Sequence, residues 1–259
     1  MRDQEYREIL RNFVDKQIKA GKIVKFFKQY SNPTNYFKKS KIKVGLNKYK
    51  DIILQDETRL ELGGMNKRSF SMVYPVSEVD YIEDGKIVLV GPEINGITDY
   101  NVDFGMLILI GGKELTEDDK DLLTHLNFIS NGIEGFLIRS IPRRFWCRVN
   151  QDVIKKGFSF EFLGNAIMYL YKEKFKDLID SIEILFINSY PDSIFEFIKM
   201  SSTIREQIRE KWKEKVEIWK KRIDCDYDWG CEICPYQNDC LEIKEVLAER
   251  EMLDERGNP

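Results

Sequence analysis

The sequence predicts an α/β protein in which a mostly parallel sheet is covered by helices. Two observations favour this fold: short apolar runs rich in branched residues, typical of buried strands, and amphipathic segments of helical period between them. Strands that alternate with helices favour a parallel sheet, because each helix can return the chain to the same edge. At 259 residues, the chain can bury about 75% of its surface without disulfide bonds.

The N-terminal region, residues 1–50, is predicted to form a helix followed by a basic arm. Apolar residues lie on one side of a helix over Arg2–Lys19, and residues 16–50 hold eleven lysines, no acid and six aromatics. Such a composition can bind single-stranded nucleic acid through phosphate contacts and base stacking. The arm has no arginine and no recognisable module, so we disfavour nucleic acid. We expect the arm to pack on the body of the protein or on an acidic partner.

Residues 51–190 supply the predicted α/β domain. Apolar runs predict strands over Lys86–Val90, Gly105–Gly112, Arg144–Val149 and Ser181–Ser189. Helical periodicity predicts one helix over Thr116–Gly135, which Thr116 can cap, and a second helix over Phe160–Phe175. Four residues of the first helix are expected on one buried face, namely Leu122, Leu126, Ile129 and Ile133.

Composition disfavours several functional classes. The only histidine, His125, is predicted to be an ordinary residue on a helix face, so metal sites with several histidines and Ser-His-Asp catalysis are not expected. The longest apolar run, Met106–Ile110, is far shorter than the roughly 18 residues of a membrane span, so no membrane segment is predicted. The first residues lack the apolar core of a signal peptide, and we expect a cytoplasmic protein.

The last region, residues 191–259, is predicted to be a helix over about 193–222 that leads to a cysteine cluster. Four of the five cysteines lie within sixteen residues, at Cys225, Cys231, Cys234 and Cys240. In a reducing compartment this spacing indicates metal binding, because a CxxC step lets two thiolates converge on one metal. The fifth cysteine, Cys147, is predicted to be a core residue on a strand.

Four thiolates suit two kinds of metal site equally, a 4Fe–4S cluster and a tetrahedral zinc site. Structural zinc sites usually join two tight cysteine pairs, and here only Cys231 and Cys234 form one. We therefore favour an iron–sulfur cluster, with zinc as the alternative.

Six stretches between residues 50 and 190 carry a family resemblance: Glu61–Gly64, Glu83–Ile94, Phe104–Leu115, Phe128–Phe136, Phe145–Gly164 and Ile182–Ile187. In order and spacing they resemble the beta subunit of the archaeal acetyl-CoA decarbonylase/synthase complex, the acetyl-CoA synthase component associated with carbon monoxide dehydrogenase. The resemblance extends more loosely to the cysteine cluster and leaves residues 1–50 outside. It implies an α/β domain followed by a cysteine-ligated metal segment, and protein partners in a multi-subunit complex of anaerobic archaeal metabolism.

In that family the metal segment holds a nickel–iron–sulfur centre that joins a methyl group, carbon monoxide and coenzyme A. Cys231 and Cys234 match its CxxC pair, and Cys240 matches the next ligand. The intervals after the pair are shorter here, and Cys225 precedes the pair. The family's downstream Cys-Gly-Cys, which supplies ligands to the outer nickel, is missing after Cys240. Acetyl-CoA synthesis by this chain alone is therefore not expected.

The resemblance also implies a site for coenzyme A. The family carries a Trp-x-Arg strand in an arginine-rich neighbourhood linked to coenzyme A, and Trp146 and Arg148 match that strand. Arg143 and Arg144 lie next to it, with Arg139 nearby. Guanidinium groups bind phosphates and stack on adenine, so this cluster could hold the nucleotide end of the cofactor. The alternative is that Trp146 packs in the core while the arginines pair with surface acids.

These observations lead to one main functional expectation and two alternatives. The main expectation is a divergent relative of the synthase that binds one 4Fe–4S cluster and serves electron transfer or assembly in anaerobic one-carbon metabolism. The first alternative is an adaptor protein stabilised by zinc. The second is a nucleic-acid-processing enzyme with an iron–sulfur loop, since some nucleases carry the spacing CxxC-x5-C. Such an enzyme also needs clustered carboxylates and a lysine for metal-dependent hydrolysis. Glu183 has no Glu-x-Lys neighbour, which counts against this alternative.

Overall fold

The computed structural model describes residues 3–46, 53, 56–64, 66–76, 82–112, 115–141 and 144–202. Seven helices lie in these ranges: α1 (Asp3–Lys19), α2 (Pro33–Lys39), α3 (Glu117–Leu123), α4 (Asn127–Ser130), α5 (Gln151–Lys155), α6 (Phe160–Lys174) and α7 (Pro191–Met200). The same ranges hold nine strands: β1 (Val24–Lys28), β2 (Thr58–Gly63), β3 (Ser69–Val76), β4 (Lys86–Val90), β5 (Asn101–Val102), β6 (Phe104–Gly111), β7 (Phe136–Ile141), β8 (Arg144–Asn150) and β9 (Ser181–Asn188).

The described strands form two sheets. The first has five strands in the order β1-β4-β9-β6-β3, and the second has four in the order β5-β2-β8-β7. The predicted strands at β4, β6, β8 and β9 are all present within one or two residues of their predicted bounds. The α/β class predicted from the sequence is therefore confirmed.

The prediction of a mostly parallel sheet is wrong. Three strand pairs are parallel (β3–β6, β4–β9 and β2–β5), while four are antiparallel (β1–β4, β6–β9, β2–β8 and β7–β8). The parallel rule holds where one helix crosses directly between neighbouring strands. Between β6 and β9 the chain instead passes through the second sheet as the β7–β8 pair, and it can then return in either direction.

Helices cover both faces of the five-stranded sheet. Gly164 of α6 lies against Ile87, whereas the next residue of β4, Val88, lines a cleft with Leu10 and Val14 of α1. Successive strand residues point to opposite faces, so α6 and α1 lie on opposite sides of the sheet. The helix predicted over Phe160–Phe175 is confirmed as α6, and the buried side of α1 includes Leu10 and Val14 as predicted.

The lysine-rich stretch contributes regular structure to this body. After α1 the chain forms β1, an edge strand that pairs with β4, and then α2, whose Phe37 is buried against Phe162 and Tyr169 of α6. Phe26 at the centre of β1 is 54% exposed. No helix among the described residues has the length and apolarity needed to cross a bilayer.

The single helix predicted over Thr116–Gly135 is wrong, because the structure has two short helices there. Thr116 caps α3 as predicted, and its capping box is completed by Asp119. The chain leaves helical geometry before α4 begins at Asn127, and this break turns Leu122 outward, where it is 47% exposed. Leu126, Ile129 and Ile133 are buried as expected.

Candidate functional site

The two residues of the predicted coenzyme A site that are fully described lie on one face of the four-stranded sheet. Along β8, Phe145, Cys147 and Val149 are buried in the core, while Trp146 and Arg148 alternate with them and are partly exposed. We call the side that carries Trp146 and Arg148 the outer face. The strand alternation therefore brings these two together, as the resemblance implied.

Arg148 is already engaged by an acid on the neighbouring strand. Its Nε donates to Glu61 at 3.0 Å, and one terminal nitrogen donates to the carbonyl of Ile53 at 3.3 Å. Glu61 stands directly opposite Arg148 in the β2–β8 ladder and also accepts from the amide of Asn101 at 3.3 Å. For Arg148, the alternative reading of an arginine that pairs with an acid is confirmed.

Arg139 and Trp146 lie next to each other on the outer face. They stand opposite each other in the β7–β8 ladder, and Arg139 is exposed. Among the described residues, none forms an ion pair with Arg139. A guanidinium beside a half-buried indole is an arrangement that can contact phosphate and stack on a flat ring.

Two glycines adjoin Trp146 of β8: Gly63, the last residue of β2, and Gly64, which follows it. Gly63 stands opposite Trp146 and has φ of +78°, and a Cβ there would lie 2.5 Å from the carbonyl oxygen of Phe145. Gly64 follows with φ of +110°, and its Cβ would lie 3.9 Å from that of Trp146. Only glycine fits the first position, since both its dihedral angle and its close backbone neighbour disfavour a side chain.

The other predicted site residues are not described in the same detail. Arg144 begins β8 opposite Ile141, and Arg143 lies outside the described residues. Cys225, Cys231, Cys234 and Cys240 also lie outside them, so the metal site stays a prediction. Within the described ranges, no group of three or more His, Cys, Asp or Glu residues is arranged to hold a metal ion.

Cys147 occupies the core, as predicted. Its side chain is fully buried on β8, and this burial raises the pKa of the thiol well above its usual value. A thiol that stays protonated is a poor ligand and a poor nucleophile. Cys147 thus serves packing in the core.

A charged cleft was not predicted from the sequence. It has a volume of about 290 Å³ and lies between α1 and the five-stranded sheet. Lys86 is at its floor, 2.8 Å from Glu83 and 3.6 Å from Glu183, and the backbone N–H of Glu83 donates to Glu183 at 3.2 Å. A hundred residues separate the two glutamates, so no local motif could have revealed the group.

The two glutamates of this cleft have opposite pKa shifts. The hydrogen bond from Lys86 lowers the pKa of Glu83. Burial raises the pKa of Glu183, which is 7% exposed at its side chain, and the neighbouring charge of Glu83 adds to the shift. Lys86 therefore stabilises mainly the charge of Glu83, while Glu183 keeps its proton to a higher pH than an exposed glutamate.

Comparison with known proteins assigns the fold to a family. The profile of the CO dehydrogenase/acetyl-CoA synthase complex beta subunit family matches residues 41–192, which is more than half of the chain. The chain belongs to this family. The resemblance inferred from the sequence motifs is thereby confirmed.

Three relatives illustrate the extent of the match. The acetyl-CoA decarbonylase/synthase complex subunit beta of Methanopyrus kandleri is 31% identical over 60% of this chain and 33% of its own length. The same subunit of Methanothermobacter thermautotrophicus is 30% identical over 60% and 33%. The carbon monoxide dehydrogenase/acetyl-CoA synthase subunit alpha of Moorella thermoacetica is 29% identical over 70% and 24%. The match thus spans a quarter to a third of these relatives.

The family match divides the described features into two groups. Gly63, Arg139, Trp146 and Arg148 lie within the matched residues 41–192, as does Glu183. The helix α1, the edge strand β1 and the helix α2 precede the match, and Cys225–Cys240 follow it. The outer face therefore lies within the family match, whereas the lysine-rich strand and the cysteine cluster lie outside it.

Proposed function

We propose that this chain is a repurposed member of the acetyl-CoA synthase beta subunit family that works in a multi-subunit assembly of anaerobic one-carbon metabolism. It carries one 4Fe–4S cluster, serves electron transfer or assembly, and does not make acetyl-CoA with these 259 residues alone. The observation that supports this best is that one chain contains both a family α/β domain, residues 41–192, and a four-cysteine cluster outside that match. The relatives named as complex subunits support protein partners.

The cysteine cluster fits an iron–sulfur cluster by the chemistry of its donors. It offers four thiol groups and no histidine, which suits Cys₄ ligation of a 4Fe–4S cluster. Such a cluster would supply one-electron transfer. The same 259 residues contain no Cys-Gly-Cys sequence, the motif that ligates the outer nickel in the family, so we do not assign acetyl assembly to these residues alone.

We also propose that the outer face retains a weak site for the nucleotide end of coenzyme A. Arg139 is an exposed cation of this face, and Trp146 beside it offers an indole surface. Arg148 is engaged by Glu61, so its role is to hold β2 against β8 rather than to contact phosphate. Arg144 is the first residue of β8 and Arg143 precedes it in sequence, and both would add positive charge.

The test of the main proposal is the iron, zinc and acid-labile sulfide content of protein purified under strict anaerobiosis. About four iron and four sulfide per chain are expected. Replacing Cys231 or Cys234 with serine is expected to abolish both. Cys147→Ala is the matched control, because it removes a cysteine that is buried in the core, and it is expected to leave the iron unchanged.

Other outcomes of this measurement separate the alternatives. Finding one zinc and no sulfide per chain would favour the first alternative, an adaptor protein stabilised by zinc, over a redox role. A folded protein without metal would contradict both. Iron and sulfide together with cleavage of DNA in magnesium or manganese would favour the nucleic-acid enzyme, and acetyl-CoA formation by the isolated chain would contradict the loss of synthase chemistry.

A further inference from the structure

The strand β1 lies outside the part of the chain that matches the family. It precedes residues 41–192 and is the outermost strand of the five-stranded sheet, where it pairs with β4 on one side only. Among the described residues, no strand pairs with its other side, which we call the free edge. A free edge presents backbone donors and acceptors that another strand can use.

The register of the β1–β4 pair shows which backbone groups face the free edge. At the two ends of β1, the backbones of Ile23 and Gln29 hydrogen-bond to glycines that flank β4, at 2.9 and 2.7 Å. Antiparallel partners alternate between bonded and non-bonded positions, so the odd-numbered residues face β4. The N–H and C=O groups that point outward are those of Val24, Phe26 and Lys28.

The sequence around the free edge is rich in lysine. Residues 16–46 contain nine lysines and no acid. Lys25 and Lys28 within β1 are both exposed, and neither forms an ion pair with a described residue. The edge is therefore complementary to a segment rich in aspartate or glutamate.

Lysines alone would also be expected on an edge strand that is protected against aggregation. Protection does not explain Phe26, because a large apolar side chain at the centre of such a strand would work against it. Phe26 is 54% exposed and borders the charged cleft, while Ile18 and Ile23 nearby are 48% and 46% exposed. The edge thus combines backbone groups that no described strand uses, exposed lysines and an apolar contact surface.

We propose that β1 is a docking strand onto which a partner protein adds an extended, acidic segment. Its backbone would bond to the outward groups of Val24, Phe26 and Lys28, its acids would lie among the lysines, and an apolar side chain would contact Phe26. Backbone pairing supplies affinity in this mode of recognition, and alternate side chains supply selectivity. The surface needs neither a metal cluster nor coenzyme A, so it can be tested independently of the proposed function.

The test uses the full chain, purified anaerobically, and a fluorescent peptide of alternating glutamate and valine about nine residues long, the length of a strand. Binding is followed by fluorescence anisotropy, and the site by hydrogen–deuterium exchange of backbone amides. We expect exchange to slow in residues 24–28 when the peptide binds. A peptide of the same sequence with alternate amides N-methylated keeps its charge but loses one row of donors, and it is expected to bind at least about tenfold more weakly.

Two variants with a matched control locate the site on the chain. Phe26→Pro removes an outward N–H and the aromatic contact. It spares the hydrogen bonds to β4, because the N–H of Phe26 points away from that strand, and proline is tolerated at such edge positions. Lys25→Glu with Lys28→Glu reverses the local charge. Each is expected to weaken peptide binding by about tenfold. Lys176→Glu, an exposed lysine beyond α6, is expected to leave binding unchanged.

Three results would overturn the proposal. The first is absence of binding by the acidic peptide. The second is equal binding by the N-methylated peptide, which would show attraction by charge without strand pairing. The third is slowed exchange in residues 24–28 with an oligothymidylate but not with the peptide, which would assign the lysines to nucleic acid. Circular dichroism of each variant checks that loss of binding reflects the surface and not unfolding.

Discussion

Arg148 and Glu61 face each other across the β2–β8 ladder and are joined by a hydrogen-bonded ion pair of 3.0 Å. The pair links the two central strands of the four-stranded sheet on its outer face. The side-chain amide of Asn101, on the edge strand β5, also donates to Glu61. Within the same face, Arg139 has no such acid among the described residues. One arginine of the family's Trp-x-Arg strand therefore supports the sheet, and the neighbouring strand provides the exposed guanidinium.

This division predicts different effects for two arginine variants. Arg148→Gln should lower the free energy of unfolding by about 1 kcal/mol, because Glu61, 18% exposed, loses its charged partner. Arg139→Gln should leave unfolding unchanged and weaken binding of coenzyme A. Urea unfolding and calorimetric titration with coenzyme A measure the two effects, and an equal loss of stability in both variants would contradict the assignment.

Glu183 should make stability depend on pH. Its pKa in the folded chain is raised above the ordinary 4.5, so its favourable contribution is complete below the unfolded pKa and is lost as pH rises through the folded pKa. Lys86 and Glu83 face it from the sheet, and Arg11 and Asp15 line the cleft from α1.

The variant Glu183→Gln isolates this contribution. The free energy of unfolding of the native chain minus that of the variant should fall as pH rises through the raised pKa, and it should be constant above it. Urea unfolding at a series of pH values gives this difference. The exposed Glu173→Gln provides the control, for which the difference should stay flat; a flat difference for Glu183→Gln as well would refute the prediction.

Gly164 sets the distance between α6 and the sheet. A Cβ at this position would lie 2.7 Å from Cδ1 of Ile87, which is fully buried. Gly164→Ala should therefore cost about 1 to 2 kcal/mol, since overpacking exceeds the gain in helix propensity. Gly96→Ala, exposed and free of such contact, should change stability by less than about 0.5 kcal/mol.

A double variant distinguishes overpacking from other causes. Ile87→Val removes the methyl group that the new Cβ would meet, so it should recover part of the loss caused by Gly164→Ala. Thermal and urea unfolding of the two single variants and the double variant give the coupling energy. Simple additivity would show that the cost arises elsewhere.

Tyr171 of α6 provides a hydrogen-bond donor for a backbone carbonyl at the end of α3. Its hydroxyl donates to the carbonyl of Leu123, the last residue of that helix, at 3.0 Å, and both residues are buried. Tyr171→Phe should cost about 1 to 2 kcal/mol, because a buried carbonyl loses its donor. Tyr100→Phe, 40% exposed, is the control and should have little effect on urea unfolding.

Local pattern was sufficient for the central strands and for α6. The runs at β4, β6 and β9 are mostly apolar, with Glu183 as the one charged residue inside β9, because each strand is covered on both faces. Such runs identify a buried strand without knowledge of its neighbours. Strand direction was not predictable from the same runs, because the excursion into β7 and β8 breaks the alternation on which the parallel rule depends.

For the candidate site, too, the sequence predicted the local arrangement but not the contacts between distant segments. Trp146 and Arg148 share a face because strand side chains alternate, which the sequence already shows. The partner of Arg148, Glu61, lies 87 residues away and carries no local signal, and the same is true of Glu183 with Glu83. Contacts between distant segments are set by the fold, so they appear only when the strands are placed side by side.

The position of β9 has a consequence for synthesis of the protein. β9 lies between β4 and β6, yet it is the last strand of its sheet to be translated. Until residues 181–188 leave the ribosome, β4 and β6 are two apolar strands without their common neighbour. A nascent chain arrested before β9 should therefore recruit holdase chaperones, and release past residue 188 should end that requirement.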